Sequence, residues 1–245
     1  MSSKRQLHRT EFYCDGHYTV LCSASRGGMA ISDEDLAEEL AGEPDALIEA
    51  GVVMPLVFQG DCALGQVVVL VGDLNEREEA EWIGHLSSRL NIPCGKLLVL
   101  AGGGDPYDWE NAVDEEPDDD TVFAWIEVPP GEYLVELYAF ASSMTAAHHF
   151  EEGEFSEWFA RTRPGIEQNE YVKALSEGNG YDVNDDYLDY LIRLKPWAES
   201  HKARLSQPTG GWFRDFHFRR PELCPLGISY AELGLSKADE DDDKD

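Results

Sequence analysis

The chain must fold around a large surplus of negative charge. Its 245 residues include 49 Asp and Glu but only 19 Lys and Arg, which gives a formal net charge of −30 at pH 7. Hydrophobic residues still make up 42% of the sequence and aromatic residues 11%, unlike the composition of disordered acidic chains. The composition therefore predicts a protein that buries a real core, as one large domain or two small ones.

The charge also limits the possible partners. Nucleic acids and anionic lipid surfaces are bound through Lys and Arg, so we expect neither a nucleic-acid nor a membrane partner. A basic protein is attracted instead, and the field of the surface raises its association rate. Residues 237–245 hold six acids and two Lys, a net charge of only −4, so the acidity belongs to the folded body.

The sequence points to a soluble protein of the cytoplasm. It has no run of about 20 apolar residues that could span a bilayer, and its first residues lack the apolar segment of an export signal. The five cysteines have no C-x-x-C spacing. We therefore expect reduced thiols rather than a zinc site or a disulfide framework.

Short apolar runs in the first part of the chain predict a sheet. The runs that are rich in β-branched residues lie at residues 18–23, 52–58, 66–70 and 96–101. Two more strands are expected at residues 122–128 and 132–140. The Pro-Pro-Gly turn at residues 129–131 is expected to join them as a hairpin.

Capping residues predict where helices begin. Ser32 precedes a helix with three acids in its first turn, where carboxylates favour the helix dipole. Asn75 and Glu78 have capping-box spacing. After them, helical spacing predicts one amphipathic helix that packs on the sheet through Trp82, Ile83, Leu86 and Leu90.

From Ala146 onward the pattern favours helices. The third and best defined of them is expected to start at the cap Asn184 and to end before Pro196, and the aromatic stretch 212–218 is expected to return to the body as a strand or extended arm. The fold class is therefore α+β, mainly an antiparallel sheet with one packed helix, followed by a helical C-terminal part. The expected units are residues 1–143, residues 144–236 and a disordered acidic tail at 237–245.

The most acidic internal segment is residues 105–120. It carries nine acids and no Lys or Arg. One interpretation is a solvated loop, the usual fate of a charge run. The other is an anionic arm that docks into a cationic cleft, with Tyr107 and Trp109 as aromatic anchors. The candidate partner-binding residues are Asp105, Tyr107, Asp108, Trp109, Glu110, Asp114, Glu115, Glu116, Asp118, Asp119 and Asp120.

No pattern predicts a catalytic residue, a cofactor or a metal. The glycines at 102–104 follow a strand but lack the Walker Lys and face acids, so a phosphate loop is disfavoured. Asp182, Asn184 and Asp186 start like a calcium loop, which then lacks its Gly and final Glu. His148, His149 and Glu152 supply too few ligands for zinc and are interpreted as a surface cluster.

Basic residues are concentrated in the last third of the chain. The most compact group is the aromatic and basic stretch at residues 210–220. In so acidic a protein, these cations are expected to pair with acids of the same chain, which leaves an even more negative remainder exposed.

Three features together give a resemblance to acidic bacterial immunity proteins, the cognate inhibitors that protect a toxin-producing cell from its own nuclease or other effector. They are the acidic segment 105–120, the strand–turn–strand phrase at residues 126–133, and a compact body without a catalytic motif. The resemblance covers residues 50–143 and includes no family signature residue. It implies a non-catalytic inhibitor that blocks a basic bacterial toxin domain.

Two other classes of function fit the same sequence. A metal-assisted hydrolase would use clustered carboxylates with His148 or His149. Alternatively, the acidity of a halophile protein serves only solubility in salt, which is consistent with a chain in which Asp and Glu greatly outnumber Lys and Arg.

Overall fold

The computed structural model describes residues 5–14, 16–61, 63–101, 106–118, 121–151, 153–178 and 185–235. The strands are β1 (Gln6–Glu11), β2 (Tyr18–Ser23), β3 (Val53–Val57), β4 (Gln66–Val71), β5 (Gly84–Ile92), β6 (Lys96–Ala101), β7 (Phe123–Glu127), β8 (Gly131–Ala139), β9 (Tyr190–Pro196) and β10 (His217–Phe218). The α-helices are α1 (Asp33–Ala41), α2 (Asp45–Glu49), α3 (Glu76–Glu81), α4 (Pro106–Asp114), α5 (Met144–His149), α6 (Glu154–Thr162) and α7 (Glu170–Ser176). Short 3₁₀ helices occupy Arg26–Gly28 and Glu199–Arg204.

The strands form two sheets. One has six strands in the order β1-β4-β9-β8-β5-β10, and the other has four in the order β3-β2-β6-β7. All neighbours are antiparallel except β4 and β9. The expected α+β class with a mainly antiparallel sheet is therefore confirmed.

The two sheets bury a shared core between them. Alternate residues of each strand face this core, as the two-residue period of a strand requires. The four-stranded sheet contributes residues such as Leu21 and Val99, and the six-stranded sheet contributes Leu86, Val135 and Ile192. The outer face of each sheet is left to be covered by helices and loops.

Helices α1, α2 and α4 cover the outer face of the four-stranded sheet. Leu36, Leu47 and Trp109 from these helices pack on Val20 and Leu98 of the strands. Helices α5, α6 and α7 build a separate apolar cluster on the side of the six-stranded sheet. The helices that carry acids but no Lys or Arg, α1, α2 and α4, therefore all lie on one side of the sandwich.

The prediction of one long helix after Asn75 is wrong. The capping box is present, but α3 ends at Glu81, and Trp82 already has an extended backbone with φ −65° and ψ 146°. The nine residues Gly84–Ile92 form β5, in which Leu86 pairs with Leu137 and Leu90 with Tyr133 of β8. Leu86 and Leu90 are four residues apart, a spacing that a helix face and a strand face share.

The prediction of a helix between Asn184 and Pro196 is also wrong. Asn184 lies outside the described residues, and Tyr190–Pro196 is β9, which lies between β4 and β8. Both faces of this central strand are buried, with Ile192 in the inter-sheet core and Leu191 in the outer cluster. Leu188, Leu191 and Leu194 recur every three residues, which imitates a helix face and conceals the alternation of Ile192 and Leu194 with Arg193 and Lys195.

The expected hairpin at residues 122–140 is a crossover instead. β7 pairs with β6 in the four-stranded sheet, whereas β8 pairs with β5 and β9 in the six-stranded sheet. The prolines after β7 end one ladder, and the chain crosses to the other sheet rather than turning back. The phrase at residues 126–133 that contributed to the family resemblance is thus a link between sheets.

Strands from both sides of residue 143 share the six-stranded sheet. β9 and β10 belong to it together with β1, β4, β5 and β8. The returning aromatic arm is present, since β10 pairs with β5 and Phe213 and Phe216 are buried in the inter-sheet core. Among the described residues, no helix has the length and apolar character needed to cross a membrane.

Candidate functional site

Helix α1 presents a row of carboxylates to solvent. The Ser32 side chain caps the helix by accepting a hydrogen bond from the Asp35 backbone N–H at 3.1 Å. Leu36 and Leu40 face the sheet and are fully buried. The exposed side therefore carries the acids at the remaining positions, Glu34, Asp35, Glu38 and Glu39.

The segment expected as an acidic loop contains a helix. Helix α4 spans Pro106–Asp114, with Pro106 in the first turn where it costs no hydrogen bond. It packs beside α1 and on β6 and β7. Ala112 is buried, while Glu110 and Asp114 are exposed, so α4 adds a second row of acids next to the first.

Trp109 is not a surface anchor. Its side chain is only 1% exposed and packs in the cluster with Leu36 and Leu98. The expectation that it inserts into a partner is corrected, because a helical period places it on the sheet side of α4. The side chain of Tyr107 and all of Asp105, Asp119 and Asp120 lie outside the described residues.

We call residues 29–50 and 106–118 together the acidic helical face. These 35 residues contain fourteen acids and no Lys or Arg, whereas the other 210 residues carry the remaining −16 of the net charge. The charge is therefore concentrated. The acids are Asp33, Glu34, Asp35, Glu38, Glu39, Glu43, Asp45, Glu49, Asp108, Glu110, Asp114, Glu115, Glu116 and Asp118.

Most of these carboxylates have no counter-charge within the described chain. Arg26 pairs with Asp33, its Nε lying 2.8 Å from Oδ1. Eleven of the fourteen form no ion pair with any described residue, and all eleven are exposed. Their charge is therefore directed to solvent and to any molecule that approaches.

Several cations of the last third of the chain pair elsewhere. Arg193 contacts Asp73 at 2.7 Å and Glu136 at 3.2 Å, and Arg220 contacts Glu154 at 2.5 Å. The expected pairing within the chain is confirmed for Arg193 and Arg220. None of these three carboxylates belongs to the acidic helical face.

An open groove that contains both apolar and acidic residues borders α1. It has a volume of about 540 Å³ and is lined by Met29, Ala30, Ile31, Asp35, Glu38 and Glu39. Met29 is 45% exposed. Methionine is enriched at protein interfaces, where its flexible thioether adapts to a partner. The groove thus offers an apolar contact ringed by negative charge.

His149, one of the histidines considered for a metal site, packs against an aromatic ring. His149 stacks flat on Phe218, with ring centroids 3.6 Å apart and planes within 1°, and Glu152 lies outside the described residues. Within the described ranges, no group of three His, Cys, Asp or Glu side chains could hold a metal ion. The glycines at 102–104 and the calcium-like Asp182 and Asn184 also fall outside those ranges.

Comparisons with known proteins assign no family. No family model matches the chain. A stretch of 76 residues, 31% of this chain, is 36% identical to the chloroplastic protein translocase subunit SecA of Ostreococcus lucimarinus (strain CCE9901) and spans only 8% of that subunit.

Two solved structures are similar to the chain at a low level. The product of crocagin biosynthetic gene J has a TM-score of 0.39 and 15% identity, covering 80% of this chain and 99% of that one. ComJ from Bacillus subtilis, an inhibitor of the DNA-degrading activity of NucA, has a TM-score of 0.30 and 9% identity, covering 79% of this chain and 96% of that one. Neither likeness is strong enough to transfer a function.

Sequence reasoning missed half of the acidic helical face. The helix-dipole interpretation covers only Asp33, Glu34 and Asp35 of α1 and none of the acids of α2, although residues 29–50 contain eight acids and no Lys or Arg. That absence of cations was the available signal. The packing of α1 beside α4 was not available from the sequence, because more than 60 residues separate the two helices.

Proposed function

We propose that this chain is a non-catalytic cytoplasmic binding protein that neutralises a basic protein partner, a bacterial toxin domain, by covering its cationic cleft with the acidic helical face. The observation that carries the proposal is the concentration of fourteen acids, without a Lys or Arg, on helices α1, α2 and α4 and the residues that adjoin them, which cover the same sheet. A charge that served solubility alone would need no such concentration.

Binding proceeds in two steps with separate residues. The field of the acidic helical face orients a cationic partner at a distance and raises the association rate. Contact then desolvates the groove beside α1, where Met29 supplies apolar area among Asp35, Glu38 and Glu39. Anchors of this kind set the dissociation rate, because apolar burial is lost only when the complex separates.

The proposed binding residues keep most of the acids in segment 105–120 and add those of α1. Trp109 is left out because it supports α4 from below. The proposed set in the described chain is Met29, Glu34, Asp35, Glu38, Glu39, Asp108, Glu110, Asp114, Glu115, Glu116 and Asp118. Asp105, Tyr107, Asp119 and Asp120 adjoin it in sequence and stay predictions.

A pair of charge-matched variants tests the proposal. One variant carries Glu38→Gln, Glu39→Gln, Glu110→Gln and Asp114→Asn. The control carries Glu151→Gln, Glu157→Gln, Glu170→Gln and Glu177→Gln, four exposed acids on or next to helices α6 and α7 beside the other sheet. Both variants have the same net charge, so only the position of the lost charge differs.

The measurement is the association rate with bacterial nuclease domains of net positive charge at low salt. The face variant is expected to associate about tenfold more slowly than the wild type, and the control within about twofold of it. Equal losses in both variants would show that net charge alone acts. Absence of binding to every such domain would refute the inhibitor function.

A further inference from the structure

The outer face of the six-stranded sheet holds a pocket with positively charged side chains, in contrast to the acidic helical face. Three adjacent strands contribute alternate side chains to it, because Ser87 of β5 is paired with Glu136 of β8 and Glu136 with Arg193 of β9. Side chains two residues along these strands share that face. The pocket has a volume of about 260 Å³ and is lined by Trp82, His85, Ser87, Leu134, Glu136, Tyr138, Arg193, Lys195, His201 and Arg204.

The 3₁₀ helix Glu199–Arg204 forms one wall of the pocket. Ser87 fixes its end, since the Ser87 hydroxyl donates to the Arg204 carbonyl at 2.9 Å. The Ser206 hydroxyl accepts from the Ser87 backbone N–H at 3.0 Å. These contacts position the 3₁₀ helix so that Arg204 and His201 line the pocket.

The lining of the pocket is cationic in a protein of net charge −30. Arg193, Lys195 and Arg204 face a single lining carboxylate, Glu136. Asp73 outside the lining takes up both Arg193, at 2.7 Å, and Lys195, at 3.4 Å. Glu136 itself is held between Arg193 and His85, each at 3.2 Å.

One cation of the pocket is left over after this pairing. Among the described residues, the Arg204 guanidinium makes neither a hydrogen bond nor an ion pair. His201 accepts a hydrogen bond from the Ala198 N–H at its Nδ1, 3.2 Å away. Because Nδ1 accepts, the ring N–H of His201 is at Nε2, which is a donor. The pocket thus offers two free donor groups next to Lys195.

The ion pair between Arg193 and Glu136 is largely buried, which holds both side chains in place. The Arg193 and Glu136 side chains are 11% and 13% exposed. Burial raises the pKa of Glu136, but the hydrogen bond from His85 and the charge of Arg193 outweigh it and lower the pKa below the ordinary value. Glu136 therefore remains a carboxylate that holds Arg193 in place.

We propose that this cationic pocket binds a phosphate group, either free or as a monoester, between Arg204, Lys195 and His201. Guanidinium groups match the oxygens of phosphate and form strong, charge-assisted hydrogen bonds to them. The adjoining aromatic wall of Trp82 and Tyr138, with ring centroids 5.5 Å apart, gives an ester group a surface to contact. The pocket lies on the other sheet from the acidic helical face, so this proposal is independent of the proposed function.

The test is a titration of the full chain with inorganic phosphate and with phenyl phosphate, followed by calorimetry. Saturable binding of one equivalent is expected, and Arg204→Gln is expected to weaken it at least about tenfold. Lys202→Gln is the matched control, because Lys202 is an exposed cation of the same 3₁₀ helix that does not line this pocket. It is expected to bind as the wild type does.

The two ligands separate the two sources of the phosphate group. Tighter binding of phenyl phosphate than of inorganic phosphate would assign the pocket to a monoester, and equal or weaker binding would assign it to free phosphate. Failure of both ligands to saturate the wild type would overturn the proposal. Equal losses in the two variants would also overturn it, because Lys202 shares only the general charge of the helix.

Discussion

Asp189 places a carboxyl group inside this acidic protein. Its Oδ1 is buried and has no hydrogen-bond partner among the described residues. Burial raises the pKa of Asp189 to about 7, because a carboxylate loses its hydration there. At pH 7, about half of the folded molecules therefore carry a proton on this group, which is ionised when the chain unfolds.

The pH dependence of stability follows from this shift. The pKa of Asp189 is higher in the folded than in the unfolded chain, so protonation of Asp189 stabilises the fold. This stabilisation is fully present below the ordinary pKa of 3.8 and is lost as the pH rises through about 7. In Asp189→Asn the group does not titrate. We expect the free energy of unfolding of the variant, relative to the wild type, to rise by about 4 kcal/mol between pH 4 and pH 7.

Urea unfolding at a series of pH values measures this difference. Asp186→Asn is the control, since Asp186 is an exposed neighbour and its loss removes the same formal charge. A difference between Asp189→Asn and the wild type that does not change with pH would contradict the account of Asp189.

The Trp109 side chain packs between α4 and the four-stranded sheet and so holds the acidic helical face in place. Replacing it by Ala is expected to cost about 3–5 kcal/mol of stability, because a large, fully buried side chain leaves a cavity. Trp109→Phe is expected to cost much less, since the indole Nε1 has no hydrogen-bond partner among the described residues. Thermal unfolding of both variants checks this. Equal stability of Trp109→Ala and the wild type would show that the side chain is not in the core.

At the scale of elements, β9 is the part of the fold that the sequence concealed most. Ile192 is buried on this central strand, so Ile192→Ala is expected to lower the free energy of unfolding in urea by about 2–5 kcal/mol. Ile166→Ala is the control, since Ile166 is 61% exposed and is expected to change stability by no more than about 0.5 kcal/mol. Equal effects of the two substitutions would contradict the central position of β9.

The elements that sequence reasoning located correctly carry local signals. Ser32 and Asn75 cap the helices that they were expected to cap, because capping is a contact between residues three apart. Runs such as β4 and β6 were found because β-branched and apolar residues fill them. What could be predicted was therefore what neighbouring residues decide.

The elements that were missed depend on partners far along the chain. β5 contains two buried serines, Ser87 and Ser88, so its strand alternation is hidden and the spacing of Leu86 and Leu90 is ambiguous. After β7, an edge strand, the chain does not add a strand beside it but crosses to the other sheet, where β8 lies between β5 and β9, and no local residue encodes that choice. The pairing of α1 with α4, and hence the candidate site, was concealed for the same reason.

For the whole molecule, the clustering of charge separates binding from adaptation to salt. A protein whose acidity served only high-salt solubility would lose its fold in dilute buffer. This chain buries an apolar core between two sheets, which stabilises it without added salt. We expect a single cooperative thermal transition in about 50 mM potassium chloride by circular dichroism. An unfolded spectrum under these conditions would favour the halophile interpretation.

The most direct test of the central claim is the salt dependence of association with a positively charged nuclease domain. The unpaired carboxylates of the acidic helical face are exposed, and salt screens such charges over about 10 Å or less. We predict that the association rate constant falls at least about tenfold between about 50 mM and about 500 mM salt, with a much smaller change in the dissociation rate. An association rate that does not change over this range would contradict the claim.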